Sequence, residues 1–212
     1  MDPITVHSGR TVVLRRSDVD TDQIIPADYC RLPGRTGFAK GLFARWRAAD
    51  PGFVLNDPSV LDATVLLAGP RFGTGSSREH AVWALQEWGF SVVIAPSFGD
   101  IFTRNALKNG LLVVRLPLDV VDELMAAAEA DPGRKVTVDL VDCRVSSASS
   151  SWDFEIEKRA RYLLLHGYDG IEMTLRDAAE VAAHESRRPY WLPRMVGEPA
   201  ADRRVVTGSV SS

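Results

Sequence analysis

Twelve residues, Gly69-Pro70-Arg71-Phe72-Gly73-Thr74-Gly75-Ser76-Ser77-Arg78-Glu79-His80, concentrate the side chains best suited to chemistry. Gly73 and Gly75 admit backbone conformations that a Cβ resists. The helical spacing that follows predicts a helix whose first N–H groups are unpaired and partly positive. An anion, or negative charge developing in a reaction, is stabilised at such a point. Ser76 and Ser77 bring two hydroxyls there, and Arg78 brings a planar fork for a carboxylate. The stretch lacks the lysine of a P-loop. It has Arg78 where a dinucleotide fingerprint needs its third glycine, and it does not fit the nucleophile elbow. His80 lies one helical turn after Ser76, so a Ser–His pair is conceivable, with no third member evident. A plain capped turn, with Ser76 or Ser77 as cap and Arg78 paired to Glu79, fits the same residues.

The elements that position this turn are legible around it. Thr64–Ala68 and Ser91–Ala95 read as buried strands, and Ser77–Trp88 between them reads as a helix stopped by Gly89. This β–turn–α–β unit predicts a parallel pair with a right-handed crossover. A second helix, with Ser97 as cap and Asp100 three residues on, ends at Asn109-Gly110, and Leu111–Leu116 is a third strand. Upstream, Thr11–Leu14 is a strand. The acids Asp18, Asp20 and Asp22 then lead to Ile24-Ile25-Pro26, where Pro26 stops regular structure. The Gly- and Pro-bearing stretch from Pro33 to Pro58 reads as a long, partly ordered loop. Downstream, Asp119–Ala130 is helical. Val136–Val145 and Trp152–Glu157 form a hairpin about a serine-rich turn, Ser146–Ser151. Lys158–His166 is a helix, and Thr174 with Asp177 starts a last one before Pro189. The tail from Gly197 to Ser212 is small and polar and reads as disordered.

Composition narrows the class. The 212 residues carry 25 Lys+Arg against 28 Asp+Glu, a net charge of −3, with 45% apolar and 25% charged residues. That is ordinary for a soluble globular chain and excludes a strongly basic nucleic-acid binder. Met1–Arg16 has no apolar signal region, and no apolar run is long enough to span a bilayer, so a cytoplasmic location is expected. Cys30 and Cys143 stand 113 positions apart (143 − 30). They suit neither a zinc site, nor a disulfide scaffold, nor a self-contained iron–sulfur site.

Three ordered stretches carry a resemblance. Phe72-Gly73-Thr74-Gly75-Ser76-Ser77-Arg78-Glu79-His80-Ala81 resembles the signature of the aconitase-superfamily swivelling domain. Asp20-Thr21-Asp22-Gln23-Ile24-Ile25-Pro26-Ala27 is similar to that family's N-terminal motif, and Ser97–Phe102 through Asn109-Gly110-Leu111-Leu112 to its third. Arg35-Thr36-Gly37-Phe38 and Arg188-Pro189-Tyr190-Trp191-Leu192 narrow the likeness to the small subunits of bacterial 3-isopropylmalate dehydratases.

The resemblance implies an α/β fold: a three-layer β/β/α swivelling domain over residues 1–196, with a parallel β-α-β centre, a C-terminal β-hairpin and helices, and a tail at 197–212. It implies a hydro-lyase of leucine biosynthesis, active only with a large subunit that binds a [4Fe–4S] cluster, and no metal on this chain. Ser76 matches the family's serine base, and Ser77 and Arg78 match positions that hold a substrate carboxylate. Thr21 and Asp22 match a motif that lines the site. Arg35, with Arg31 as the competing choice, matches a second clamp on the hydroxy diacid substrate. Tyr29–Gly37 includes the stretch similar to the loop that contacts the substrate's side chain, with Cys30 where the family has a bulkier aliphatic residue. His80 is expected to steady the turn, and His7, His166 and His184 have no metal-ligand spacing. Two further functions stay open: the same chemistry on a homoaconitate-, citraconate- or methylcitrate-type acid, and a non-enzymatic anion-binding module. Two cysteines are too few for a cluster, so the iron would come from the partner.

Overall fold

Short β-branched runs build one half of a seven-stranded sheet in this computed structural model, which describes residues 1–31, 34, 36–189 and 191–192. The chain divides into two compact units, Met1–Gly170 and a second beginning at Ile171. In the first unit, β1 (Val6–Leu14), β2 (Val65–Ala68), β3 (Val92–Ala95) and β4 (Leu112–Arg115) run parallel, in the order β4-β3-β2-β1. β2 and β3 are buried along their whole length, as strands covered on both faces must be. Beyond β1 the sheet continues antiparallel through β5 (Lys135–Asp139), β6 (Arg144–Ser147) and β7 (Ser150–Asp153).

β1 joins the two halves by changing partners midway. Val6–Arg10 pairs with β5, and Thr11–Leu14 pairs with β2. Gly9 lies at the change, where a Cβ would overlap the Thr64 hydroxyl. That hydroxyl is bonded to His7 Nε2 at 2.8 Å. The split sheet gives the layers. Leu66, Ala68, Val93, Ala95 and Val113 face the helices α3 (Glu79–Trp88) and α4 (Asp100–Asn109) through Ala81, Leu85, Phe102 and Ala106. The alternate residues Val65, Leu67, Val92, Ile94, Leu112 and Val114 share a core with Val136, Val138 and Val145 of the antiparallel half. The same core takes in α5 (Leu118–Ala130) and α6 (Lys158–His166). The mixed α/β architecture with a parallel β-α-β centre agrees with the sequence reading.

Several local expectations are corrected. The stretch from Pro33 to Pro58, expected as a partly ordered loop, is more regular than that among its described residues. It carries 3-10 turns at Phe38–Gly41, Val54–Asn56 and Pro58–Val60 and a short helix at Ala44–Ala49. Phe38, Leu42, Phe43, Phe53 and Leu55 anchor it in the core, and Phe43 stacks on Trp46 at 5.3 Å. Glycine and proline hid these aromatic anchors. The hairpin is a three-stranded meander: the expected serine-rich turn narrows to Ala148 and Ser149, with Ser147 paired to Ser150 and Ser146 to Ser151 across it. The first turn falls earlier, where the Asp139 carboxylate accepts from the Val141 and Asp142 N–H groups at 2.8 and 2.9 Å. The last expected helix is two, Gly170–Arg176 and Ala178–Ser186, divided at Asp177. The 197–212 tail lies outside the described residues.

Candidate functional site

The turn from Gly69 to Arg78 is sewn to two other segments. On one side Gly73 and Thr74 N–H bond to Val19 O at 2.7 and 3.2 Å, and Thr21 N–H bonds to Thr74 O at 2.9 Å. On the other, Phe72 N–H bonds to Ser97 O at 3.0 Å and Gly99 N–H to Phe72 O at 2.9 Å. These are the three stretches singled out in the sequence, brought together. Beneath them lie three phenylalanines, with Phe72 edge-on to Phe102 at 5.4 Å and Phe98 stacked on Phe102 at 6.3 Å. Gly73 sits at φ +74°, and a Cβ there would overlap Phe102, whose own Cβ is 2.7 Å from that position. Only glycine meets both demands.

The expected caps are corrected here. α3 begins at Glu79, with Arg78 extended at φ −125° in the cap position and no side-chain cap bond. Neither Ser76 nor Ser77 caps it; both are exposed. Positive φ at Gly73 and Gly75 and the extended Arg78 delay the helix past the serines, which stand ahead of its N-terminus. Ser97 does not cap α4 either. Gly99 holds that position, and the Ser97 hydroxyl accepts from Arg71 N–H at 2.9 Å.

Around Ser76 the side chains are ordered by α1 (Thr21–Ile24). Asp20 caps it, accepting from Gln23 N–H at 2.7 Å, while Gln23 Oε1 accepts from Asp20 N–H at 2.9 Å. Sequence reasoning missed this capping box, although Asp20 and Gln23 stand at its spacing. Thr21, 2% exposed, donates its hydroxyl to Ser76 O at 2.9 Å and lies 3.3 Å from Ser76 Oγ. Asp22 pairs with Arg78 through Oδ1 and Nη1. Burial pushes the Cys30 thiol up, while Arg78 acts to lower it and Asp22 to raise it, so Cys30 lies within electrostatic reach of that pair. The structure thus gathers Ser76, Ser77, Arg78, Thr21 and Asp22. Arg35 lies outside the described residues, and its competitor Arg31 ends the 3-10 helix Ala27–Arg31.

Two supports reach across the chain. Glu87, near the end of α3, accepts from Gly37 and Ala39 N–H at 2.6 and 2.8 Å. The Gly37 bond foremost holds its carboxyl below the ordinary carboxylate range. Asn109 accepts from Trp83 Nε1 at 3.1 Å and donates to Glu79 at 2.6 Å, tying α4 to α3. His80 packs edge-on against Phe38 and Trp83 at 5.2 and 4.9 Å, a steadying contact.

The turn is an open surface. A cavity of about 990 Å³ exists elsewhere, between α4 and the β7–α6 segment, and none of these site residues lines it. Among the described residues, no group of three His, Cys, Asp or Glu side chains is placed to hold a metal ion. Cys30 packs on the helix-side core and Cys143 on the other, so the two thiols do not converge. Among the described residues no helix is long and apolar enough to cross a membrane.

Comparison with known proteins fits this geometry. Residues 1–119 match the model of the aconitase C-terminal domain, and residues 122–157 match the LeuD_N model. The chain is 55% identical over 193 residues to a 3-isopropylmalate dehydratase small subunit of a Parafrankia species, covering 91% of this chain and 98% of that one. It is 58% identical to the protein of the same name from Acidothermus cellulolyticus, with the same coverage. A crystal structure of 3-isopropylmalate dehydratase from Methanocaldococcus jannaschii superposes with a TM-score of 0.62 at 28% identity, covering 85% of this chain and 99% of that one. The three-stretch weave about Ser76, the split sheet and these likenesses have one reading: the chain belongs to the family of 3-isopropylmalate dehydratase small subunits, built on the aconitase C-terminal domain.

Proposed function

We infer that the chain works as the small subunit of a two-chain hydro-lyase of leucine biosynthesis. The enzyme interconverts 2- and 3-isopropylmalate by removing water to give isopropylmaleate and adding it back. The exposed Ser76-Ser77-Arg78 turn ahead of α3, with Arg78 held by Asp22, is the observation that carries the reading.

Elimination needs a base for a carbon-bound proton, a means for hydroxide to leave, and cationic holds on two carboxylates. Ser76 Oγ takes the proton in this assignment. A serine is a poor base unless its alkoxide is stabilised, and the positive end of α3 supplies that kind of field. Ser77 and the Arg78 fork bind one carboxylate, with Asp22 fixing the plane of the guanidinium. Arg35 is assigned the second. Thr21 and Asp22 line the site from below.

The family's [4Fe–4S] cluster does not fit this chain. Its thiols are two and lie on different cores, whereas a cluster takes three or four thiolates. The cluster is therefore assigned to the large subunit, and no step here runs through it.

The test is reconstitution with a cluster-bearing large subunit. The pair should interconvert the isopropylmalates and reject homoaconitate-, citraconate- and methylcitrate-type acids. Ser76→Ala should assemble normally and lose about 10²- to 10⁴-fold in kcat, the usual worth of a positioned base. Normal turnover by that variant would end the base assignment.

A further inference from the structure

Thr21 was expected among the substrate contacts, yet its place suggests another task. It is 2% exposed and lies beneath the turn, with Ser76 above it. Its backbone is fixed from two sides. Its N–H bonds to Thr74 O at 2.9 Å, and it opens α1 directly after the reciprocal Asp20–Gln23 cap. The side chain is thus aimed by backbone that cannot easily shift.

One hydroxyl faces two acceptors. Thr21 Oγ1 is 2.9 Å from Ser76 O and 3.3 Å from Ser76 Oγ. A threonine hydroxyl has one proton and two lone pairs. With its proton on Ser76 O, Thr21 Oγ1 can only accept from Ser76 Oγ–H. The 3.3 Å separation is long for two hydroxyls, a length common where a bond tightens only during reaction.

We propose that Thr21 is a positioning residue for Ser76, whose hydroxyl swings from the Ser76 carbonyl to Ser76 Oγ when that oxygen loses its proton. The proposal rests on the reading of Ser76 as base. No covalent bond of Thr21 breaks, and its proton stays on Oγ1. One neutral hydrogen bond, to a carbonyl, is exchanged for a charge-assisted one to an alkoxide. In the neutral state Thr21 accepts from Ser76. In the ionised state it donates to it. The protonated and deprotonated forms of the base are therefore both held in place by one side chain.

Ionisable groups near the pair belong to three elements. Asp20 and Asp22 are at α1, Arg78, Glu79 and His80 lead into α3, and the Cys30 thiol lies within reach of Arg78 and Asp22. None of them is altered by a change at Thr21, so a shift in the pH profile reports the hydroxyl.

The experiment uses the reconstituted two-chain enzyme and Thr21→Val, which keeps the shape and removes the hydroxyl. Loss of one charge-assisted bond predicts a kcat about 10- to 100-fold lower. The rising limb of kcat against pH should move up by about one to two units. KM should stay within about twofold, since an interaction made only with the reacting base leaves ground-state binding alone. Thr21→Ser, which keeps the hydroxyl and drops the methyl, should restore both rate and profile. If Thr21→Val does not fold, Thr21→Cys, a far weaker donor, takes its place with the same shift expected. An unshifted profile, or a Thr21→Ser variant as slow as Thr21→Val, overturns the proposal. Failure of the underlying base reading registers separately, as Ser76→Ala turning over normally.

Discussion

The two glycines of the turn have different jobs, and replacing each by alanine separates them. Gly73 and Gly75 both lie at positive φ, +74° and +89°. An L-residue forced there costs about 1–2 kcal/mol. At Gly75 that is the whole cost, because a Cβ would meet Asp20 Cβ at 3.4 Å and Thr21 Oγ1 at 3.8 Å, both ordinary contacts. At Gly73 the new methyl would overlap the root of the Phe102 side chain, which Phe72 and Phe98 hold on both sides. Overpacking of that kind adds about 1–3 kcal/mol. The sums are about 1–2 kcal/mol for Gly75→Ala and about 2–5 kcal/mol for Gly73→Ala. In a chain of this size each kcal/mol lowers Tm by about 2–4 °C. Thermal unfolding of the full chain should therefore show a drop of about 2–8 °C for Gly75→Ala and about 4–20 °C for Gly73→Ala. The order in turnover should reverse per unit of lost stability, because Gly75 adjoins Ser76 and Gly73 does not. Equal Tm losses in the two variants would refute the aromatic floor as the reason for Gly73.

Arg78→Lys should raise KM about 10- to 100-fold in the reconstituted enzyme, because an ammonium cannot span a carboxylate as the fork does. A double-mutant cycle with Asp22→Asn should give a stability coupling of only about 0.2–1 kcal/mol, since the Asp22 side chain is 45% exposed. Glu87→Gln should destabilise the chain by on the order of 1 kcal/mol at neutral pH through weaker acceptance from Gly37 and Ala39. The Glu87 carboxyl is held low when folded. Its stabilisation is thus present above the ordinary glutamate range, near 4.3, and is lost as pH falls through the folded value. Denaturation midpoints followed downward from pH 7 should converge for the two proteins, and a constant gap would refute the charged role.

How much of this was legible depended on the span of each interaction. The Ser76 turn was legible because its glycines, serines and arginine are neighbours and its flanking strands are unbroken apolar runs. The start of α3 was misplaced by two residues because serine favours caps in general. Here two positive-φ glycines carry the chain past both serines before it coils. β1 gave no sign that it joins both halves of the sheet, since partner exchange beside Gly9 depends on Thr64, far along the chain. The burial of Thr21 beneath Ser76 links residues 55 apart, and Glu87 reaches back 50 to Gly37. No periodicity records such contacts. The resemblance supplied expected roles at Thr21 and Asp22 without the geometry, and the geometry then separated them, one beneath Ser76 and one against Arg78.

The openness of the turn bears on why two chains are needed in the proposed reading. Ser76 and Ser77 face solvent, and the Arg78 side chain is 22% exposed. In water an ion pair at such a surface contributes little, and an alkoxide gains little from a helix end. The same groups act strongly once water is displaced, because unit charges 4 Å apart interact by about 1 kcal/mol in bulk water and about 4 kcal/mol at an effective dielectric near 20. Among the described residues, the large cavity lies between α4 and the β7–α6 segment and not over Ser76. A partner surface that brings the cluster would also bring the enclosure. Folding this chain sets the positions of Ser76, Thr21, Asp22 and Arg78, and assembly gives those positions their chemical strength.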